Sequence, residues 1–380
     1  MRRRATRYIR AAAAAAALAL LAASCGGGGE ALPTTAGSTT ITATTTTAAP
    51  PVVDPAVAAD LQQTLDGFLE GWAPAGAGAA VLWPDGAFWE GAAGFADAPA
   101  GVPLAPGDPM VIGSTTKMFT ATVVMELVEE GTLDLDGGVA AYFPDFGLSP
   151  ELTVRHLLGH RSGLWNYTAD PGFGLSANAL DPEAVVRAAI TRGELFPPGS
   201  HFHYSNTNYT LLGLLIGEVT GSTAQAEIRT RILDPLGLKG TFMAWYEGRA
   251  VAVPPAGGDP STPALAGLGT AAWTAGALAS TPEDLVRFGA ALFGGELVSP
   301  ETLALMVTPG DTYGEGATYG LGIEILELAG HQVWGHRGGM PGYQSALFYL
   351  PASGVLLAVC ANSTAPGFPE LRRMLLEVID

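Results

Sequence analysis

Hydrophobic periodicity divides the chain into strand-rich ends and a helix-rich middle. Apolar residues at helical spacing predict a helix over Ala56–Trp72. Two apolar runs on either side of Trp83-Pro84-Asp85-Gly86 predict a β-hairpin, because Asp-Gly favours a tight turn. Near the C-terminus, short apolar stretches separated by Gly or Pro predict an antiparallel meander followed by a helix. These segments are Tyr319–Leu328, His331–His336, Gln344–Tyr349, Gly354–Ala361 and the helix Pro369–Ile379.

The middle of the chain carries the helical patterns, and several of them open with Pro at the first turn, where its missing N–H costs nothing. The predicted helices are Thr116–Glu130, Val154–Gly159, Pro182–Arg192, Asn206–Val219, Thr223–Leu233, Pro282–Phe293 and Pro300–Met306. Strands at both ends with helices between them predict an α+β fold, in which an antiparallel sheet receives a helical segment inserted mid-chain.

Composition fits a large folded body and disfavours nucleic acid as a partner. At 380 residues the chain exceeds the size of one core, about 250–300 residues, so we expect a two-lobed unit or a domain with appended segments. Apolar residues make up 48% of the chain, enough for a sizeable core. The 18 basic residues against 36 acidic ones give a net charge of −18, which repels phosphate backbones.

The N-terminal part of the chain is typical of an exported protein. Residues 1–25 combine an arginine-rich start with an apolar run that, at about 13 residues, is too short to span a bilayer. The segment ends in a sequence that resembles a bacterial lipobox, so we expect lipidation of Cys25 and a lipid anchor as the sole membrane attachment. Because Ala22 stands where Leu is usual, secretion without lipid is the alternative. Residues 26–54 are rich in Thr, Ala, Gly and Pro and predict a disordered linker to a folded domain over 55–380.

The first candidate for chemistry is Ser114 with Lys117, at the start of a predicted amphipathic helix. Residues three apart share a helix face, so the amine would reach the hydroxyl and could take its proton. Lys117 is one of only two lysines against 16 arginines, and lysine, unlike arginine, can be neutral when it is desolvated. The alternative is a serine helix cap followed by a solvated lysine.

Two further clusters are candidates for the same site. Tyr204 and Asn206 come just before an apolar helix and could supply an acid/base group and an amide contact, whereas taken alone they are more typical of a turn with a helix cap. His336, Arg337 and Gly338 lie at the end of a predicted strand, where glycines let a substrate backbone approach, although a Gly-rich hairpin explains them too.

Two other features are not expected to carry chemistry. His201-x-His203 lacks the remaining ligands of a metal site, so no metal is expected. Cys360 lies in an apolar run typical of a buried strand, and its thiol is expected to be structural.

Taken together in this order, the three clusters resemble the motifs S-x-x-K, Y-x-N and K/H-x-G of the serine β-lactamase and penicillin-recognising family. The resemblance is greatest to its class C β-lactamases, D-Ala-D-Ala carboxypeptidases and related esterases, and it covers about residues 60–378. It implies a sheet lobe and a mostly helical lobe with the active-site cleft between them. It also implies acyl transfer through a covalent Ser114 ester, without cofactor.

Residue by residue, the resemblance implies that Ser114 is the nucleophile and that Lys117 keeps it poised for proton transfer. Tyr204 would be the general base and Asn206 would bind the substrate amide. His336, Arg337 and Gly338 would bind substrate. The oxyanion hole would consist of the backbone N–H groups of Ser114 and Gly339.

The substrate stays open at this point. Arg337 replaces the usual Thr or Ser of the third motif, but it could hold a substrate carboxylate with two parallel hydrogen bonds. His336 in place of lysine predicts that substrate binding depends on pH near ~6.5. The candidates are a D-Ala-D-Ala carboxypeptidase, a β-lactamase and a small-ester hydrolase, all acting on a small molecule or peptide. A non-hydrolytic penicillin-binding or sensor module is the alternative from another class.

Overall fold

The computed structural model describes residues 51–70, 76–170, 179–254, 263–314 and 316–379. The predicted signal segment with Cys25, and most of the linker, lie outside the described residues. The helices are α1 Pro55–Glu70, α2 Thr116–Glu129, α3 Val154–Leu158, α4 Pro182–Ile190, α5 Asn206–Thr220, α6 Ala224–Ile228, α7 Ala244–Glu247, α8 Pro263–Gly276, α9 Pro282–Phe293, α10 Pro300–Met306 and α11 Phe368–Ile379. The strands are β1 Gly76–Leu82, β2 Phe88–Asp97, β3 Val102–Pro103, β4 Met110–Val111, β5 Phe242–Met243, β6 Leu278–Ser280, β7 Thr312–Tyr313, β8 Ala317–Tyr319, β9 Glu324–Leu328, β10 His331–Met340, β11 Tyr343–Tyr349 and β12 Leu356–Ala361.

The two ends of the chain build one sheet, which confirms the predicted α+β class. Among the described residues, nine strands pair antiparallel in the order β3-β2-β1-β12-β11-β10-β9-β8-β7. The first hairpin and the last strand meet where β1 pairs with β12, with Ala79 opposite Val359. The helical segment from α2 to α8 is therefore inserted between two halves of one sheet.

Alternation along the strands places a separate core on each face of the sheet. In β12, Leu357 and Val359 pack with α1 and α11, whereas Leu356, Ala358 and Cys360 face α9 and the helical lobe. This period of two is what a strand buried on both faces requires. Cys360 is fully buried, as the structural interpretation of its thiol predicted.

Helix α2 differs from the amphipathic helix that was predicted, because it is buried on nearly every side. All residues from Thr116 to Met125 are buried, and Phe119 stacks on Phe288 of α9 with ring centroids 3.8 Å apart. A helix that is apolar all round belongs in the centre of a lobe rather than at its surface. The start of α2 is thereby fixed from all directions.

Two other predictions need correction, and one helix was missed. The stretch Tyr319–Leu328 is two strands, because a turn closed by the Gly320 N–H to the Ile323 carbonyl (2.8 Å) separates them. The predicted strand His331–His336 continues to Met340, so the third motif lies inside β10 rather than in a hairpin loop. Helix α8 was not predicted.

Candidate active site

Ser114 lies on a tight turn pressed against β10. The 3-10 turn Gly113–Thr115 leads directly into α2. Gly113 has φ of +50°, and a Cβ atom on it would lie 2.7 Å from the backbone nitrogen of Gly339, so only glycine fits this crossing. The half-buried Ser114 side chain therefore stands at the junction of the helical lobe and the sheet.

Lys117 is fully buried and lies one helical turn from Ser114. Its Nζ lies 3.1 Å from Ser114 Oγ, 2.7 Å from Asn206 Oδ1 and 2.6 Å from the Ala275 carbonyl oxygen. Burial holds the pKa of the Lys117 amine well below its usual range, and the charge of Glu324 opposes this shift.

The partners of Lys117 can accommodate a neutral amine as well as an ammonium group. The carbonyl of Ala275 and the amide oxygen of Asn206 can only accept hydrogen bonds, whereas the Ser114 hydroxyl can donate or accept. The amide of Asn206 is oriented by its own donor, since Nδ2 donates to Thr168 Oγ1 at 3.1 Å. A neutral amine has two N–H groups for the two obligate acceptors, which leaves its lone pair for the Ser114 proton. Burial lowers the pKa of Lys117 and so favours this neutral form, in which the amine can act as a general base.

The Tyr204 ring lies over the Lys117 amine. Asn206, the other residue of the same motif, contacts Lys117 through its amide oxygen. The Nζ of Lys117 lies 5.0 Å from the centre of the Tyr204 ring. Burial raises the pKa of the Tyr204 phenol well above its usual value, and a hydrogen bond with Ser114 opposes that shift. The phenol is therefore held protonated, which weakens its role as a base and suits it to donate a proton.

His336 lies in the wall of the site, but it does not behave as the sequence predicted. It is 1% exposed, its Nε2 contacts the Tyr319 hydroxyl at 2.9 Å, and its Nδ1 lies 2.6 Å from the Arg337 carbonyl. Burial lowers the pKa of His336 to about 4, with Glu324 opposing the shift. The predicted pH dependence near 6.5 is therefore wrong for this ring, which is neutral at neutral pH.

Arg337 and Gly339 share the open edge of β10. Pairing with β9 ends at Gly335 opposite Glu324, so the residues beyond it have no β9 partner. Alternate N–H groups of a strand point to the same side, so those of Arg337 and Gly339 are directed off this edge. The N–H of Arg337 donates to Glu324 Oε2 at 3.2 Å, and the guanidinium Nε donates to the same oxygen at 2.7 Å. Arg337 is thus engaged by a carboxylate that the sequence interpretation missed.

Gly338 brings the strand against the nucleophile turn. A Cβ atom on Gly338 would collide with the Ile112 carbonyl and the Ser345 hydroxyl, and would lie 2.9 Å from Thr115 Oγ1. Ser345 Oγ donates to the Ile112 carbonyl at 2.7 Å and lies 2.8 Å from Thr115 Oγ1. These buried hydroxyls fix the register of turn and strand, and no motif in the sequence identified them.

The candidate residues border one cavity of about 360 Å³. Its lining includes Ser114, Tyr204, Glu324, His336, Arg337 and Gly339. Asn206 and Lys117 lie beneath it, in contact with each other. The three clusters, separated by about 90 and 130 residues along the chain, thus meet at one place.

His160 packs against Tyr204 and helps to hold it in place. Its ring packs against Tyr204 with centroids 4.1 Å apart, and Nδ1 accepts from the Ser205 N–H at 3.2 Å. Burial keeps the pKa of His160 well below its usual value, so the ring is a neutral packing element.

Within the described residues, no helix has the length and apolar character needed to cross a membrane. No group of three or more His, Cys, Asp or Glu side chains in this part of the chain is placed to hold a metal ion.

This fold and site define a class of two-lobed α+β proteins with a serine and a buried lysine at the lobe junction. The Beta-lactamase family matches residues 61–378, and the chain belongs to that family. Members of this fold family are serine hydrolases, including amidases and penicillin-binding proteins.

Individual relatives carry several names. Penicillin-binding protein 4 of Amycolatopsis lactamdurans is 31% identical over 324 residues, which cover 78% of this chain and 84% of that protein. The crystal structure of a D-amino acid amidase from Ochrobactrum anthropi SV3 superposes with a TM-score of 0.77 at 29% identity, covering 85% of this chain and 98% of the other. A D-stereospecific amidohydrolase from Streptomyces sp. gives a TM-score of 0.72 at 30% identity, covering 84% and 97%.

Proposed function

We propose that this protein is a hydrolase that acylates Ser114 with the carbonyl group of a D-amino-acid derivative and then releases the acyl group to water. The observation that carries the proposal is the placement of Lys117 Nζ between Ser114 Oγ and two obligate acceptors. The D-configuration is supported by two structural neighbours, a D-amino acid amidase and a D-stereospecific amidohydrolase. Penicillin-binding relatives support the same acyl-enzyme chemistry.

In acylation, neutral Lys117 takes the proton of Ser114 while Oγ forms a bond to the substrate carbonyl carbon. The carbonyl electron pair moves onto oxygen, where the N–H groups of Ser114 and Gly339 stabilise the charge. The bond to the leaving amine or alcohol then breaks, and the Tyr204 phenol supplies its proton. The phenol recovers a proton from the Lys117 ammonium, so the residues return to their starting states.

Deacylation repeats these steps with water in place of the serine hydroxyl. The water loses its proton toward Lys117 and adds to the ester carbonyl, and Ser114 Oγ leaves with a proton. Because acylation and deacylation use the same residues, the substrate determines which of the two steps is slow. A slow second half gives the long-lived adduct of a penicillin-binding protein, and a fast one gives a hydrolase.

The test is a side-by-side assay of the full chain against four substrates. These are a D-amino acid amide, a D-Ala-D-Ala peptide, a chromogenic cephalosporin and a nitrophenyl ester, each run with Ser114→Ala as the matched control. Turnover of the D-amide or the D-peptide that disappears in the variant, and that fails with the L-enantiomers, supports the proposal. Turnover that survives in Ser114→Ala, or that prefers L-substrates, contradicts it.

A β-lactamase is the second candidate, and the matched family model is the observation that favours it. In the same assay, rapid opening of the cephalosporin with slow turnover of the D-amide and the D-peptide would support that function instead.

A further inference from the structure

Glu324 is a buried carboxylate in the wall of the active-site cavity. It is 3% exposed and is the first residue of β9, at the point where pairing with β10 ends. Its Oε2 accepts from the backbone N–H and the guanidinium Nε of Arg337, and its Oε1 accepts from the Tyr313 hydroxyl. The carboxylate therefore holds the arginine in place within the same cavity that Ser114 borders.

This pairing changes the charge that a substrate meets. A free guanidinium beside the serine would attract a carboxylate on the leaving group. Here the positive charge of Arg337 is balanced by Glu324 at 2.7 Å, and the neighbouring His336 is buried and neutral. A carboxylate brought to this wall would compete with Glu324 for Arg337 and lie close to a like charge that is itself buried, which is unfavourable.

A second cationic side chain, that of Arg372, is among the described residues that line the cavity. Arg372 of α11 is 6% exposed, and its guanidinium lies 5.8 Å from the centre of the Phe348 ring and 5.6 Å from that of Phe368. It thus packs on the α11 face of the sheet, where Phe348 belongs to the core. Arg337 pairs with Ala346 of the same core, so both arginines lie on this face, and Glu324 holds Arg337 by hydrogen bonds at the open strand edge.

We propose that Glu324 is a specificity-determining residue, which makes the site select substrates whose leaving group carries no carboxylate, such as primary amides, esters and amidated peptides. This inference rests on the proposed function, because it describes the substrate of the same Ser114 acyl transfer. It separates this chain from a carboxypeptidase, which must accept a C-terminal carboxylate next to the scissile bond.

The experiment compares two peptides that share one scissile bond: a D-Ala-D-Ala peptide and the same peptide with a C-terminal amide. For the wild-type full chain, we expect kcat/KM for the amide to equal or exceed that for the acid. Glu324→Gln keeps the side-chain shape and removes the charge, so it should raise the acid-to-amide ratio about tenfold or more. Glu327→Gln on the same strand is exposed and removes the same charge, and it should leave the ratio unchanged.

A second variant keeps the test independent of the folding of Glu324→Gln. Arg337→Gln leaves Glu324 without its countercharge, so the acid-to-amide ratio should fall below that of the wild type by about tenfold or more. Thermal melts of each variant verify that the compared proteins are folded.

Three results would overturn the inference. They are a wild-type preference for the acid, an unchanged ratio in folded Glu324→Gln, and an unchanged ratio in Arg337→Gln. Failure of the proposed function looks different, because neither peptide would then acylate Ser114 in any variant.

Discussion

Replacing Gly338 with alanine should separate the nucleophile turn from the strand that supplies half of the proposed oxyanion hole. The added methyl group would occupy the space of the Ile112 carbonyl and the Ser345 hydroxyl. Cβ atoms essentially never lie within 3.0 Å of such atoms, so turn and strand must move apart. Relief of the collision requires a shift on the order of 1 Å, and a misplacement of that size costs about 100-fold in rate.

The stability of Gly338→Ala should fall as well. Overpacking of a tight site costs about 1–3 kcal/mol, and the methyl group also disturbs the buried hydrogen bond from Ser345 to Ile112. We expect a lower melting temperature and an acylation rate about 100-fold lower. The rate is measured by stopped-flow labelling with a fluorescent D-amino acid ester. Labelling should be normalised to the folded fraction.

Gly339→Ala is the matched control for the loss of stability. No atom of the described residues lies within 4 Å of a Cβ atom at that position, so its melting temperature should equal that of the wild type. If Gly338→Ala acylates at the wild-type rate, the close approach of strand and turn does not set the geometry of the site, and the reasoning fails.

Three other predictions follow from burial and proton balance. Lys117→Arg should slow acylation of Ser114 by about 10²–10⁴-fold, because guanidinium cannot act as a neutral base, and a loss below tenfold would argue against a lysine base. His336 has a pKa of about 4 in the folded state and about 6.5 in the unfolded state, so between these pH values only the unfolded state binds a proton there. The free energy of unfolding should therefore fall by up to about 3 kcal/mol as the pH is lowered from 6.5 to 4. Urea titrations should show a loss in His336→Gln that is smaller by about this amount than in the wild type and in the exposed control His201→Gln. A loss remains in His336→Gln because burial also lowers the pKa of His160. Phe288→Ala should lower the free energy of unfolding by about 3–5 kcal/mol in the same titrations, because the ring is fully buried. A loss under about 1 kcal/mol would mean that neighbouring side chains fill the cavity left by the ring.

Local chemistry explains why much of the fold could be predicted from the sequence. The helices that begin with Pro were located closely because their starts are set by neighbouring residues. Asp181, Thr281 and Ser299 each accept a hydrogen bond from a backbone N–H in the first turn of the helix that follows. The sheet followed from strand patterns at both ends of the chain.

Helix α8 shows what local patterns miss. Its residues Pro263–Gly276 are almost all apolar or small, so no amphipathic period marks them. Its geometry breaks at Trp273, with φ of 36°, and two residues later the Ala275 carbonyl contacts Lys117. Every residue has a carbonyl, so nothing in the sequence could identify this one as a partner of the lysine.

The candidate site was predictable where its motifs combine chemistry with spacing. Ser114 and Lys117 contact each other because they lie one helical turn apart, and the order of the three motifs brought in Tyr204 and His336. Glu324 carries no such signal, since its role arises from the point at which β9 stops pairing with β10. The charge state of a buried group also depends on its surroundings, so the low pKa of His336 could not follow from residue type.

The covalent intermediate on Ser114 is the central claim, and rapid-quench mass spectrometry tests it most directly. The full chain is mixed with a D-alanine ester and the reaction is stopped in acid after milliseconds to seconds. The mass of the intact protein is then measured, and the protein is digested to locate the adduct. The account predicts a mass increase equal to the acyl group on the peptide that contains Ser114, and none in Ser114→Ala. Substrate turnover with no adduct at any time point, or an adduct that maps to another residue, would contradict it.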